Sequence, residues 1–338
     1  MRTRRTPDPT LQYLVRVLQP SPPRKRRGRL ARSGAASMVL LAVAGYLAVQ
    51  YVTGGAFAPG CKVAGGKGGR TTYEFTPEQA VNAATITAVG TARKLPDRAV
   101  TIALAAALQE SALRNLDHGD KDSLGLFQQR PSQGWGKPEE IMDPAYSAGL
   151  FYDHLVEVPG YLDLPLTDAA QRVQRSAFPD AYAKHEPDAE LLAAALTGRS
   201  AATLTCVGRP GATPEKGPDA VRAALVRDFG HDVLRPAGAE VGGDAASRRP
   251  APGSDERTVT LPVTGSTGSG PAREHVRRGW QLAHWAVANA SSLHIQRVTY
   301  AGREWTAGNT DSKWYPTGTE GAKGAERAAE AVRITSAR

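Results

Sequence analysis

No Asp, Glu, Lys, Arg or His interrupts residues 33–58 of this chain. Their apolar centre, residues 35–52 (AASMVLLAVAGYLAVQYV), reaches about 27 Å as a helix rising 1.5 Å per residue, enough for the hydrocarbon core of a bilayer. Such a run puts the segments on its two sides at opposite faces of a membrane. Residues 1–32 carry ten Lys/Arg against one acid, Asp8. Positive charge on that flank predicts a basic cytoplasmic tail over 1–32, a single transmembrane helix over 33–58 and an extracytoplasmic remainder in a single-pass cell-membrane protein. Tyr46 and Tyr51 lie in the outer half, where amphipathic rings favour the interface. Three other readings exist. The basic run Arg24-Lys25-Arg26-Arg27 is a nuclear localisation signal, Ala56-Phe57-Ala58 is a signal-peptide cleavage site, or Cys61 is a lipidation site. Pro59 suits neither of the last two, and the retained anchor is the reading taken.

The same tail accounts for the whole formal net charge of +9. Residues 33–338 hold 32 basic and 32 acidic residues, so no basic face of a folded domain is implied and no nucleic-acid partner is expected. At 41% hydrophobic the chain is too apolar to be disordered throughout, and with two Cys it is no disulfide scaffold.

Cys61 and Cys206 both fall on the extracytoplasmic side, where disulfides persist. A bridge between them is expected, with unpaired thiols as the alternative; closing so long a loop stabilises by roughly 4–5 kcal/mol in the chain-entropy picture. The His residues are scattered, without HExxH or CxxC, so neither a metal site nor a cofactor is expected.

Residues 62–75 are Gly-rich and read as a linker, within a linker region 59–75. Thr76-Pro77-Glu78-Gln79 is a helix start, with Thr as N-cap, Pro at the first helical position and Gln three residues on. A second start lies at Pro96-Asp97 and leads through an apolar run to Glu110. Further helices are expected over 145–155, 167–176, 188–196 and 219–229. Residues 76–206 thus read as a mostly α domain. Residues 207–273 hold a short helix and a flexible linker in which 257–263 alternates and is limited by Pro262 to an edge strand. A small α/β domain over 274–338 comes last, with a helix around Trp280 and Trp285 and strands at 296–300 and 331–335.

Glu110 is the lone carboxylate at the end of an apolar helix. Burial and the negative end of the helix dipole both raise a carboxyl's pKa, as a general acid needs. The plainer reading pairs it with Arg114, four residues on.

Ser123-Leu124-Gly125-Leu126-Phe127-Gln128-Gln129 comes next, with Gly125 fifteen residues after Glu110. A helix ending in Glu-Ser and then, at this spacing, a Gly-Leu-Met-Gln motif resembles the lysozyme-like soluble lytic transglycosylases, with Phe127 in place of the usual Met. Met142-Asp143-Pro144 before a helix with Tyr152 is similar to the family's Asp-Pro-Glu helix. Ala181-Tyr182-Ala183 is similar to its Ala-Tyr-Asn element, with Ala183 for Asn. More narrowly, residues 61–206, both Cys included, resemble exported actinobacterial lysozyme-like proteins. The resemblance implies a lysozyme-like helical domain behind the anchor, acting on peptidoglycan glycan strands at the β-1,4 bond between N-acetylmuramic acid and N-acetylglucosamine. Glu110 would be general acid and then base on the 6-hydroxyl of muramic acid. Ser111 and Gln128 would orient substrate or Glu110, Ser123, Leu126 and Gln129 would bind substrate, and Gly125 would let backbone approach the sugar. Tyr152 and Tyr182 would contact the cleft and help hold Glu110 protonated, and Trp135 is a candidate sugar platform. A hydrolytic lysozyme usually shows a second carboxylate, for which Asp120 and Asp122 are the candidates, though both suit a turn.

Residues 275–337 resemble the C-terminal part of a fungal and actinobacterial domain with a zinc-peptidase-like fold, through VTYAGREW, a loop with Trp314, and VRITS. Arg333 stands where such domains keep a zinc-binding His, which implies a metal-free binding or packing module. His275, His284 and His294 read as helix or surface residues rather than ligands. Two functions compete: a membrane-anchored peptidoglycan lyase, and a catalytically weak wall-binding or envelope-assembly protein of the same fold. The sequence names no envelope protein partner.

Overall fold

The computed structural model describes residues 60–65, 71–176, 179–207, 217–234, 257–263, 272–309, 313–318 and 329–337. The expected tail and transmembrane helix lie outside them, as does most of the expected linker 207–273. No helix among the described residues is long and apolar enough to cross a membrane. Residues 59–338 belong to one compact unit.

The first helix, α1 (Pro77–Ala92), starts as its sequence dictates: Thr76 Oγ1 accepts from the Gln79 N–H at 3.3 Å, and Gln79 Oε1 accepts from the Thr76 N–H at 2.7 Å. Helix α2 (Asp97–Ser111) begins after Pro96, and every side chain from Ala99 to Leu108 is buried. Its Ala-rich surface lets other helices approach on all sides. These are α1, α4 (Pro144–Val156), α5 (Leu166–Gln174) and α6 (Glu186–Leu196), with the single turn α3 (Pro138–Ile141) before α4. Asp143 caps α4 through its Oδ1, which accepts the Ala145 N–H at 2.8 Å. Helix α7 (Pro218–Phe229) lies on α1.

The described chain is mixed rather than mostly α. The stretch read as a linker contains two strands, β1 (Cys61–Ala64) and β2 (Thr72–Phe75). With β3 (Leu204–Cys206) they form an antiparallel sheet in the order β2-β1-β3. Cys61 stands opposite Cys206 in that register, and the two are disulfide-bonded. The Gly run in the sequence hides this because only Cys61, Val63 and Phe75 supply inward side chains.

A second, five-stranded antiparallel sheet has the order β4-β8-β5-β6-β7. It comprises β4 (Thr258–Pro262), β5 (Ile295–Tyr300), β6 (Arg303–Thr306), β7 (Tyr315–Pro316) and β8 (Ala331–Ser336). Residues 258–262 are an edge strand, as Pro262 requires. One face of this sheet packs on α8 (Ala272–Ala288), whose other neighbours are α1, α6 and β3. Polar ties fix α8 there. Arg277 pairs with Asp97, at the N-terminus of α2. Gln281 Nε2 donates to Thr91 Oγ1 at 2.5 Å. The buried carboxylate of Asp228 on α7 accepts from Trp285 Nε1 at 2.8 Å, Thr85 Oγ1 at 3.2 Å and Arg227 Nε at 2.7 Å, joining α1, α7 and α8.

Candidate active site

Glu110 sits in the last turn of α2, and the way that helix ends decides where its carboxyl points. Ala112 and Leu113 both take left-handed backbone. Their N–H groups return to the Leu108 and Ala107 carbonyls at 3.0 and 3.1 Å and close the helix. The carbonyls thrown outward are caught by α1. Gln79 Nε2 donates to Ala112 O at 2.7 Å, and Asn82 Nδ2 to Leu113 O at 2.8 Å. The residue that starts α1 therefore also fixes the end of α2.

The Glu110 carboxyl is half-buried. Tyr182, buried in the turn Pro179–His185, donates its hydroxyl to Glu110 Oε1 at 2.6 Å. The side-chain amide of Gln174, the last residue of α5, lies within hydrogen-bonding reach of the same carboxyl and donates to Phe127 O at 2.8 Å. Burial raises the Glu110 pKa above the ordinary glutamate value, and the hydrogen bonds from Tyr182 and Gln174 pull part of that rise back. Burial, and then the Glu110 charge, push the Tyr182 phenol upward, so it stays a donor. No cation among the described residues pairs with Glu110; Arg114 turns its Nε to the Ser111 carbonyl at 3.3 Å instead.

The hydrogen bonds of the remaining motif residues go to partners other than this carboxyl. Ser111 is buried and donates to Leu126 O at 2.8 Å and Ala107 O at 3.1 Å, stapling the 123–129 loop onto α2. Gly125 has φ +76°, and a Cβ there would meet the Ile141 carbonyl oxygen at 2.8 Å. Its missing side chain makes room for the backbone of Ile141. Leu126 and Ser123 are buried. Gln128 Nε2 donates to Gly125 O at 3.3 Å and His118 O at 3.4 Å, closing its own turn. Buried Gln129 donates to Ser147 O at 3.1 Å. Tyr152, expected at the cleft, is fully buried. Its hydroxyl donates to Ile86 O at 3.0 Å, and its ring fills the space above Gly90. Of the nine residues expected in the site, Glu110 and Tyr182 are brought together by a hydrogen bond; the others are buried or bonded to neighbouring backbone.

Neither candidate second carboxylate is poised for chemistry. Asp122 spends both oxygens on its own loop, accepting Arg130 Nε at 2.6 Å and the Ser132 N–H at 2.8 Å; hydrogen bonds from the Ser132 side chain and backbone, and then from Arg130, hold its pKa well below the usual carboxylate range. Asp120 is exposed, and its carbonyl closes a turn to the Ser123 N–H at 3.0 Å.

Gln174, a neighbour of the Glu110 carboxyl, also lines a groove of about 720 Å³, whose lining does not include Glu110 itself. Trp135, His154, Glu157, Arg172 and Arg175 line it. The Trp135 ring rests against His154 at 4.5 Å between centroids. Sequence reading missed Gln174, Arg172 and Arg175. They look like the polar face of an ordinary amphipathic helix, and only the fold carries α5 across the end of α2. Among the described residues no group of three or more His, Cys, Asp or Glu is arranged to hold a metal ion.

No family model matches this chain, and no curated protein matches it significantly.

Proposed function

We propose that this chain is a membrane-anchored enzyme that cleaves the β-1,4 bond between N-acetylmuramic acid and N-acetylglucosamine in peptidoglycan, as a lytic transglycosylase with Glu110 as its only acid and base. One observation carries the reading: a half-buried carboxyl with a raised pKa, hydrogen-bonded by the Tyr182 hydroxyl and paired with no cation among the described residues, whose neighbour Gln174 also lines a groove of about 720 Å³.

Burial favours the protonated acid before reaction. As the bond from the muramic-acid anomeric carbon breaks, its electron pair leaves with the glycosidic oxygen, which takes the Glu110 proton. The carboxylate formed is the species that Tyr182 and Gln174 stabilise, because both donate to it. It then removes the proton of the muramic-acid 6-hydroxyl while that oxygen bonds to the anomeric carbon. A 1,6-anhydro ring closes and Glu110 is protonated again. The substrate supplies the nucleophile, so the engagement of Asp122 elsewhere is no obstacle.

The extracytoplasmic location and the anchor over 33–58 belong to the same proposal. The Cys61–Cys206 bond supports an oxidising compartment.

Digestion of purified sacculi tests the chemistry. Wild-type protein is expected to release anhydro-muropeptides, recognised by mass, and Glu110→Gln to release none above background. A Glu110→Gln protein as active as wild type would remove the acid role. A second reading, a wall-binding protein of weak activity, is favoured by the commitment of Ser111, Gln128 and Gln129 to protein carbonyls. It predicts sacculus binding without digestion by either protein.

A further inference from the structure

The groove that shares Gln174 with the surroundings of Glu110 carries positive charge that the proposed bond cleavage does not use. Arg172 and Arg175 stand three residues apart at the end of α5, both lining the groove. Among the described residues no carboxylate lies within ion-pair distance of either. The groove's own carboxylate, Glu157, faces His154 at 3.9 Å.

The backbone that carries these two guanidinium groups is fixed. Arg175 takes left-handed φ +51°, and its N–H closes α5 on the Gln171 carbonyl at 2.8 Å. Gln171 Nε2 secures the next residue by donating to Ser176 O at 2.8 Å. Between the two arginines, Gln174 is tied to Phe127 O and reaches the Glu110 carboxyl. Gln174 therefore links the arginine-bearing end of α5 to the Glu110 carboxyl.

We propose that this end of the groove is a subsite for the free carboxylates of the stem peptide carried by muramic acid, so that the protein selects peptide-bearing strands with free acids over amidated or peptide-free ones. The inference rests on the glycan-cleaving reading and adds its substrate class. Guanidinium forks match planar carboxylates in two parallel hydrogen bonds. Glu157 leaves the lining with one net positive charge from Arg and Glu side chains, which suits a singly charged carboxylate better than a dianionic phosphate. The Trp135 face offers an apolar surface for the sugar itself.

The test uses full-length protein in detergent micelles carrying Glu110→Gln, so that ligands persist. Calorimetric titration compares a short glycan fragment bearing stem peptides with free carboxylates, the same fragment with those carboxylates amidated, and a peptide-free fragment. The free acid is expected to bind roughly fivefold to tenfold more tightly than the amide. The gap should shrink with salt and vanish in the variant that adds Arg172→Gln and Arg175→Gln, with thermal midpoints confirming that each protein is folded. Equal affinity for acid and amide, a gap that survives loss of both arginines, or no binding of any fragment would overturn the subsite. Sacculus digestion by wild type and by Glu110→Gln, run in parallel, reports on the chemistry alone. Equal activities there with an intact affinity gap would remove the acid role and keep the subsite.

Discussion

At the scale of single residues, the site is a contest over one proton. Burial raises the Glu110 pKa while Tyr182 and Gln174 lower it, so removing a donor shifts the balance predictably. Tyr182→Phe should move the basic limb of the activity profile to higher pH and cut the maximal rate by roughly tenfold to a hundredfold, the usual worth of a hydrogen bond to a charged group; initial rates of sacculus digestion across pH measure both. A carboxyl whose folded pKa is raised favours folding below its unfolded pKa and loses that contribution as pH rises through the folded value. Glu110→Gln should therefore raise the thermal midpoint at neutral pH and change it less in acid, while abolishing digestion. Glu110 was legible as a lone acid on an apolar helix, and Tyr182 through a three-residue resemblance. Gln174 was not, because its amide meets Glu110 only after α5 folds across α2. Tyr152 misled because an isolated Tyr beside a family motif looks the same in sequence whether its hydroxyl faces a cleft or, as here, the Ile86 carbonyl.

Among elements, helix starts were the most readable features: Thr76 with Gln79, and Pro96 before Asp97, begin α1 and α2 where their chemistry demands. The short strands were not, since three inward residues across β1 and β2 leave no period to detect beside a run of Gly. The packing of α8 was equally hidden, and His284 shows what it entails. This fully buried imidazole lies between Trp280 and Trp314, and burial lowers its pKa to about 4. Its Nδ1 faces the Ala195 carbonyl at 2.8 Å, which can only accept, so Nδ1 carries the proton and Nε2 is left without a partner among the described residues. The unfolded chain takes a proton near pH 6.5 that the fold refuses until about pH 4, so stability falls as pH drops through that window. The loss approaches roughly 3 kcal/mol at its lower end. Denaturant titrations between these pH values should show it, and His284→Gln should flatten the dependence.

For the molecule as a whole, residues 59–338 are tied together across long sequence distances. Asp228 accepts donors from α1, α7 and α8 at one buried point. Asp228→Ala strands the Trp285 indole N–H and removes the partner of Arg227. It should cost about 3 kcal/mol or more in chemical denaturation, well beyond a surface change. Asn at the same position should recover part of that. The sequence did not reveal this knot because its participants are far apart in the chain, and an Asp in an amphipathic helix normally faces water. The groove, likewise, exists only where the loop around Trp135, the end of α4 and the end of α5 converge.

All of this depends on where the Glu110 carboxyl titrates, and a carbon-13 NMR titration of that side chain in the intact protein measures it without reference to any substrate. A midpoint above that of an ordinary glutamate, moving higher still in Tyr182→Phe, is the predicted result. A midpoint at or below the ordinary value, unmoved by loss of the tyrosine hydroxyl, would contradict the account.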